Sequence, residues 1–397
     1  MSLDRRSFLK TSALAAAAAA VPFGSKAHAA SASDPILVTV FLRGAADGLN
    51  LVVPTFDYAR YAALRGGIAI PKADLIGFDS FGLHPMLRPL KGIENDLCLL
   101  HAAGSKHQTR SHFEAMDYME RAKPGAKTGT GWLNKTLIEL GATNVMNGVS
   151  FGDALAMNGS AARLSTKSLG AMPKVENHWR TATQAMFQGG GFLERSRLNR
   201  GLRAQDQIAA KVAGTPTPEF TPAKMQKLGL FGVQLRDASA LIKSDVGVRI
   251  MNINMGGWDT HESENTRLPA LADTLATGLR TFWDDLSVAD RGRTLVLVMS
   301  EFGRRAEANG TGGTDHGSAN MMMALGGNVG GGRVQAKWPG LDEATLNANK
   351  RDLKVTTDFR DVFDEVLLEH MKLTKAQRQT ILEGHTLNAN KHPGIFL

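Results

Sequence analysis

The chain has 397 residues, 43% of them hydrophobic and 21% charged, with a formal net charge of +8 and a single cysteine. This is the composition of an ordinary globular protein, long enough for one large α/β domain or two modest ones. It excludes an intrachain disulfide, because Cys98 has no partner, and the lysines and arginines are not interleaved with aromatics, so no nucleic-acid footprint is visible.

The N-terminus is set apart from the rest. Arg5-Arg6-Ser7-Phe8-Leu9-Lys10 precedes an alanine-rich apolar stretch, Ser12 to Val21, and Ala27-His28-Ala29 supplies an A-x-A cleavage site. These are the parts of a twin-arginine export signal over residues 1–29, and the apolar stretch is too short to span a bilayer. The signal carries a net +3 from Arg5, Arg6, Lys10 and Lys26 against Asp4, which leaves about +5 for the remainder. The expected destination is the periplasm or the exterior, with no transmembrane span after cleavage.

Residues 30–397 read as a single α/β domain. Ile36 to Leu42 is a continuous apolar, β-branched run of the kind a doubly covered strand shows, and it empties into the glycine-bearing loop Arg43 to Gly48. Leu97 to Ala103 reads as a second core strand, and Ser111 to Arg121 and Trp132 to Leu140 read as helices. From about residue 152 to 245 no comparable strand is expected, and Gly189-Gly190-Gly191 with Pro216, Pro218 and Pro222 punctuate a mostly helical insertion that would cap the site. Strands follow at Val248 to Asn254, Thr294 to Met299 and Met321 to Leu325, with Leu268 to Leu286 as a crossover helix. Gly326 to Gly332 is expected as a mobile loop or hairpin, and Asp358 to Lys372 and Lys375 to Glu383 as helices. The alternation predicts three layers, α/β/α, around a mostly parallel sheet.

Chemistry gathers just past the strand ends, where open α/β sheets place their ligands. Asp259 and His261 lie on a glycine-led turn and are able to converge on one ion. A carboxylate with an imidazole suits Zn, Mn or Fe, and Ca or Mg less well. Asp315 and His316 are adjacent, so on an extended segment they point apart and serve neighbouring ions or a substrate. Glu301 and Asp47 each end an apolar strand and need a cation, either a metal or a structural partner such as Arg304. Ser111 opens the pattern S-x-x-E, which marks it as a helix cap, although a serine at a helix N-terminus is also placed to attack or bind a phosphoryl-like group. His84, His107 and His112 are candidate auxiliary or substrate-binding histidines, and Arg43, Arg110 and Arg304 candidate clamps for an anion. No P-loop, dinucleotide fingerprint, H-E-x-x-H or G-x-S-x-G occurs.

The motifs Leu42-Arg43-Gly44-Ala45-Ala46-Asp47-Gly48-Leu49-Asn50, His84-Pro85, Arg110-Ser111-His112-Phe113, Gly131-Trp132-Leu133, Gly257-Trp258-Asp259-Thr260-His261, Ser300-Glu301-Phe302-Gly303-Arg304 and Thr314-Asp315-His316-Gly317 together resemble a bacterial family known only as a domain of unknown function. That family is grouped with the alkaline phosphatase and sulfatase superfamily. The resemblance implies an alkaline phosphatase-like fold and one or two divalent ions held by Asp47, Asp259, His261, Glu301, Asp315 and His316. It further implies Ser111 as nucleophile, and the residues' own chemistry adds Arg43 and Arg304 as expected catalytic anion clamps and His84 and His112 as expected substrate-binding groups. Superfamily members commonly carry Asp-His where this chain has Glu301-Phe302. The sulfatase signature C-x-P-x-R is absent, since Cys98 is followed by Leu99-Leu100-His101. The expected activity is hydrolysis of a phosphate or sulfate ester without formylglycine. The rival expectation is a non-catalytic envelope protein of the same fold that binds a polysaccharide or a partner protein.

Overall fold

The computed structural model describes residues 33–126, 129–171 and 208–397, with isolated positions between 199 and 206. Its strands are β1 (Ile36–Leu42), β2 (Val52–Val53), β3 (Ile76–Phe78), β4 (Phe81–Leu83), β5 (Leu97–Gly104), β6 (Gly148–Phe151), β7 (Leu164–Thr166), β8 (Ile250–Met255), β9 (Thr294–Met299), β10 (Asn320–Gly326), β11 (Arg333–Gln335) and β12 (Thr357–Asp358). The main sheet runs β11-β5-β10-β9-β1-β8-β6-β7, with β12 also on β5, and β2, β4 and β3 form a small antiparallel sheet. β10 is antiparallel to both of its neighbours, and every other pairing in the main sheet is parallel.

Why β1 and β9 lack polar alternation is visible in the packing. Ile36, Val38, Val40 and Leu42 face one hydrophobic layer with Val296 and Val298 of β9. Leu37 and Phe41 face the opposite layer with Leu295, Leu297 and Met299. Both faces are covered, so each strand is almost wholly apolar, and the buried Thr39 of β1 meets its hydroxyl's needs by bonding Asn252 at 2.9 Å. Over the first face lies the helix Glu264–Asp285, whose Leu268, Ala272, Leu275, Ala276, Leu279, Phe282 and Trp283 recur at helical spacing. Beside it lies Pro222–Lys243, burying Phe231, Leu235, Ala238, Leu241 and Ile242 in the same layer. Over the second face lie His112–Arg121, Trp132–Glu139 and Phe359–Glu365, where Trp132 stacks on Phe363 at 4.2 Å between ring centroids. Glu264–Asp285 connects β8 to β9, the two neighbours of β1, and is the expected crossover helix.

Two readings from sequence change. The short strand β7 lies inside the segment expected to lack strands, and Pro222–Lys243 packs on the sheet rather than over the site. Residues 172–198 of the expected insertion lie outside the described residues. The glycine-rich stretch after β10 is a loop rather than a hairpin, and it is held in place: Gly332 N donates to Glu94 O at 2.7 Å and Gly330 N to Ile395 O at 2.9 Å.

Topology decides where the chemistry goes. β1, β8 and β9 are parallel, so the loops after Leu42, Met255 and Met299 leave the same rim. β10 runs the other way and therefore begins at that rim, which delivers Asp315 and His316, just before Asn320, to the same place. β5 ends there too and leads into the helix that starts at His112.

Burial pushes His84, His101 and His370 each down to about 4, and His370 Nε2 bonds Ile36 O at 2.9 Å. A histidine whose folded value lies below its unfolded value of about 6.5 keeps its full contribution above that pH and loses it down to about pH 4, roughly 3 kcal/mol for one such group. Urea unfolding of the His370→Gln variant should therefore lose less stability between pH 7 and pH 4.5 than the unaltered chain. An identical loss would contradict the assignment. In the core, Leu297→Ala is expected to cost about 3 kcal/mol by lowering the midpoint without changing the slope, whereas Val288→Ala, an exposed site, should stay within about 0.5 kcal/mol.

Candidate metal centre

The loop after β8 must pass close under the loop after β1. Gly44 has φ +115°, and a Cβ there would lie 2.6 Å from Asp259 N, so glycine is required on both counts. The next contact is Arg304, a fully buried side chain. Its Nε donates to Ala45 O at 2.7 Å, Nη1 to Thr314 O at 3.0 Å, and Nη2 to Gly44 O at 2.6 Å and to the Asp259 carboxylate. One guanidinium thus ties together the three loops that carry the candidate ligands.

Three imidazoles surround Asp259. His261 Nε2 lies 3.1 Å and His316 Nε2 3.3 Å from Asp259 Oδ1, and His112 Nε2 lies 3.5 Å from Oδ2. His261 Nε2 and His316 Nε2 are 2.8 Å apart. The opposite ring nitrogens are engaged from outside. His112 Nδ1 bonds Glu301 Oε1 at 2.7 Å, His316 Nδ1 bonds Arg110 O at 2.9 Å, and His261 Nδ1 faces Asp315 Oδ1 at 3.7 Å. The acceptors bonded to Nδ1 of His112 and His316 favour the proton on that nitrogen, which turns the Nε2 of each ring toward a cation, whereas Asp315 is beyond hydrogen-bond distance of His261. His112 also stacks on Phe302, with centroids 5.0 Å apart, which fixes its plane.

Electrostatics follow this geometry. The Glu301 carboxylate raises the His112 pKa against the opposing effect of burial, whereas burial lowers that of His316. Asp259 is held below the ordinary carboxylate range: burial alone would raise it, but the Arg304 guanidinium and the neighbouring histidines outweigh that effect.

The donor set fits a cation. His112, Asp259 and His316 offer ligand atoms all within 4.8 Å of one another, and His112 Nε2 is buried with no hydrogen-bond partner. His261 joins through Asp259 and His316. Imidazole nitrogens with one carboxylate suit Zn, Mn or Fe better than the all-oxygen preference of Ca or Mg.

The expected site residues separate into two groups. Asp259, His261, His316 and His112 come together, so His112, expected toward the substrate, stands in the ligand cluster. Glu301 and Asp315, expected as ligands, stand behind His112 and His261. Glu301 is buried, with Oε1 also accepting from Gly44 N at 2.9 Å and Oε2 close to Ser300 Oγ at 2.9 Å. Asp315 is held by Arg305 at 3.0 Å.

Asp47 lies elsewhere. It caps the helix Gly48–Leu51 and pairs with the buried Arg65, which donates to Oδ1 at 2.9 Å and to Oδ2. The cation it needs is a side chain, the structural alternative that its sequence position leaves open. Arg43 is not free to clamp an anion, since it forms a two-pronged pair with Glu120 (2.9 and 3.3 Å) and bonds Asn254 at 3.0 Å. Arg304 is committed in the same way. His84 caps the segment Pro85–Asp96, accepting from Met86 N at 3.1 Å. Ser111 caps His112–Arg121, accepting from Glu114 N at 3.4 Å, while the Glu114 carboxylate bonds Thr109.

Sequence reading missed Arg65 and Glu264. Arg65 sits in an unremarkable helical stretch, and Glu264 looks like an ordinary acidic residue in a first helical turn.

Removing the negative charge behind His112 should weaken the centre without removing a candidate ligand. Glu301→Gln is expected to lower zinc affinity about 10- to 100-fold by calorimetry, and Asp259→Ala to abolish binding. Equal affinity in Glu301→Gln would contradict the orienting role.

Comparison with known proteins places the chain. Among curated proteins no sequence matches it significantly. Solved structures that resemble it include a variant of the alkaline phosphatase from the Antarctic bacterium TAB5 with Mg bound (11% identity, 74% of this chain and 92% of that one, TM-score 0.35). Two more are Ps i-CgsB (10% identity, 88% and 74%, TM-score 0.40) and the sulfatase PsFucS1 from Pseudoalteromonas sp. (12% identity, 91% and 73%, TM-score 0.40). At these values no activity passes from them to this chain. Residues 2–22 match the twin-arginine translocation pathway signal sequence, so the protein is exported to the periplasm or beyond, and no described helix is long and apolar enough to cross a membrane. Residues 98–384, more than half of the chain, match the model for a protein of unknown function, DUF1501, and the chain belongs to that family.

Proposed function

We propose that this protein is an exported metal-dependent hydrolase of phosphate or sulfate esters. The observation that carries the reading is the convergence of three imidazole Nε2 atoms on the Asp259 carboxylate, with an acceptor bonded behind His112 and His316. A divalent ion held there supplies Lewis acidity toward an anionic ester and makes a nucleophile available at neutral pH.

The chain's own groups do the rest. Asp259 and His261 have side chains more than 40% exposed, so the centre is open to a substrate. Ser111 directly precedes His112, at the N-terminus of a ten-residue helix whose first amides and dipole favour an anion. Its hydroxyl accepts the cap bond and donates to no acceptor among the described residues, which leaves its proton for an ester oxygen. In this reading Ser111 positions or attacks the ester. Arg43 and Arg304 support the loops and do not contact the anion. Cys98 is fully buried in β5, which agrees with chemistry that does not use formylglycine.

Purified protein would be loaded with Zn, Mn or Fe and assayed against aryl phosphate, phosphodiester and sulfate substrates. Turnover of at least one class is expected, falling by at least about 100-fold in Asp259→Ala. Loss in Ser111→Ala as well would assign the attack to the serine. Turnover that survives Ser111→Ala would leave the serine as cap and assign the attack to water. Loaded protein that turns over none of them would overturn the hydrolase in favour of a metal-holding envelope protein that binds a polymer or a partner.

A further inference from the structure

Beneath the candidate metal centre lies a second set of charged groups that touches no candidate ligand. Asp47 and Arg65 are completely buried and Glu264 nearly so. Arg65 bonds both oxygens of Asp47 and lies 4.0 Å from Glu264 Oε1, so one buried guanidinium faces two buried carboxyl groups. Glu264 also gathers the surrounding loops. Asn50 Nδ2 donates to Oε1 at 2.9 Å, and the hydroxyls of Thr260 and Thr314 approach Oε2 at 3.4 and 3.2 Å. Thr260 lies between Asp259 and His261, and Thr314 lies two residues before His316. Between the same segments Thr314 N donates to Thr260 O at 3.2 Å, and Glu264 N to Gly312 O at 2.9 Å.

Two carboxylates facing one guanidinium out of water would leave a buried negative charge. Placing one proton on the pair removes that charge and leaves Arg65 with one counter-charge. We propose that Asp47, Arg65 and Glu264 are a positioning unit that sets the spacing of the loops carrying Asp259, His261 and His316, with the two carboxyl groups sharing a single proton. The inference rests on the metal reading above and adds residues that would control the ion without touching it. Burial and the neighbouring carboxylate push Glu264 up to about 9, while Arg65 holds Asp47 below its ordinary value, so the shared proton belongs on Glu264 at neutral pH.

The two acids should therefore respond differently to amide replacement. Glutamine at 264 is neutral like the protonated acid and keeps one oxygen to accept from Asn50, with its NH2 toward the hydroxyl oxygens of Thr260 and Thr314. Asparagine at 47 takes away the carboxylate that Arg65 bonds through both oxygens and leaves only Glu264, 4.0 Å away, to balance it. Zinc calorimetry and urea unfolding of the metal-free protein would be run on the unaltered chain, Glu264→Gln, Glu264→Ala and Asp47→Asn. Glu264→Gln is expected within about twofold of the unaltered chain in zinc affinity, with the same unfolding midpoint. Glu264→Ala should unfold cooperatively yet bind zinc at least about tenfold more weakly. Asp47→Asn should show the largest fall in midpoint. The proposal is overturned if Glu264→Ala lowers the midpoint but keeps the affinity, which is a purely structural role, or if Glu264→Gln behaves like Glu264→Ala, which places no proton on the acid. Absence of zinc binding by the unaltered chain would instead remove the metal reading itself, and this inference with it.

Discussion

The candidate centre depends on a buried guanidinium. Arg304 donates to the backbone carbonyls of the loops after β1 and before β10, and to the carboxylate of the loop after β8. A buried cation is costly unless its donors are met, and here the partners come from segments more than 200 residues apart in sequence. Holding them fixes the three loops relative to one another. Asp259 gains a permanent partner on one side, and its remaining acceptor capacity faces the histidines. The ligand set is thus preorganised by bonds made behind it.

The same arrangement recurs one layer out. Glu301 and Arg110 O stand behind His112 and His316 and favour the nitrogen that faces inward. The triad of Asp47, Arg65 and Glu264 lies below Thr260 and Thr314. The layers differ in exposure. The triad is out of water, whereas His261 and Asp259 are more than 40% exposed, so the buried charges lie inside and the candidate ligands face solvent. Helix His112–Arg121 links the two, because its first residue is a candidate ligand and the serine just before it is its N-cap and the proposed anion-meeting group.

Much of this was legible in the sequence for a definite reason. Doubly covered strands are apolar at every position, so β1, β5 and β9 stand out as runs, and polar residues immediately after them mark the rim. That logic located Asp259, His261 and His316 and the three layers. It failed where two residues play different parts in the same place. His112 and Glu301 were both recognised, but which one faces the centre depends on the direction of a helix that periodicity does not give. Asp47 looked like a ligand because a buried carboxylate demands a cation, and nothing marked Arg65, 18 residues on, as that cation. β7 was too short to leave a pattern.

The central claim concerns an ion at one place. A crystal of the zinc-loaded protein measured at the zinc absorption edge tests it most directly. The account predicts an anomalous peak within about 2.2 Å of His112 Nε2, His316 Nε2 and an Asp259 oxygen. A fully loaded protein with no peak there, or with the ion held by other side chains, would contradict it.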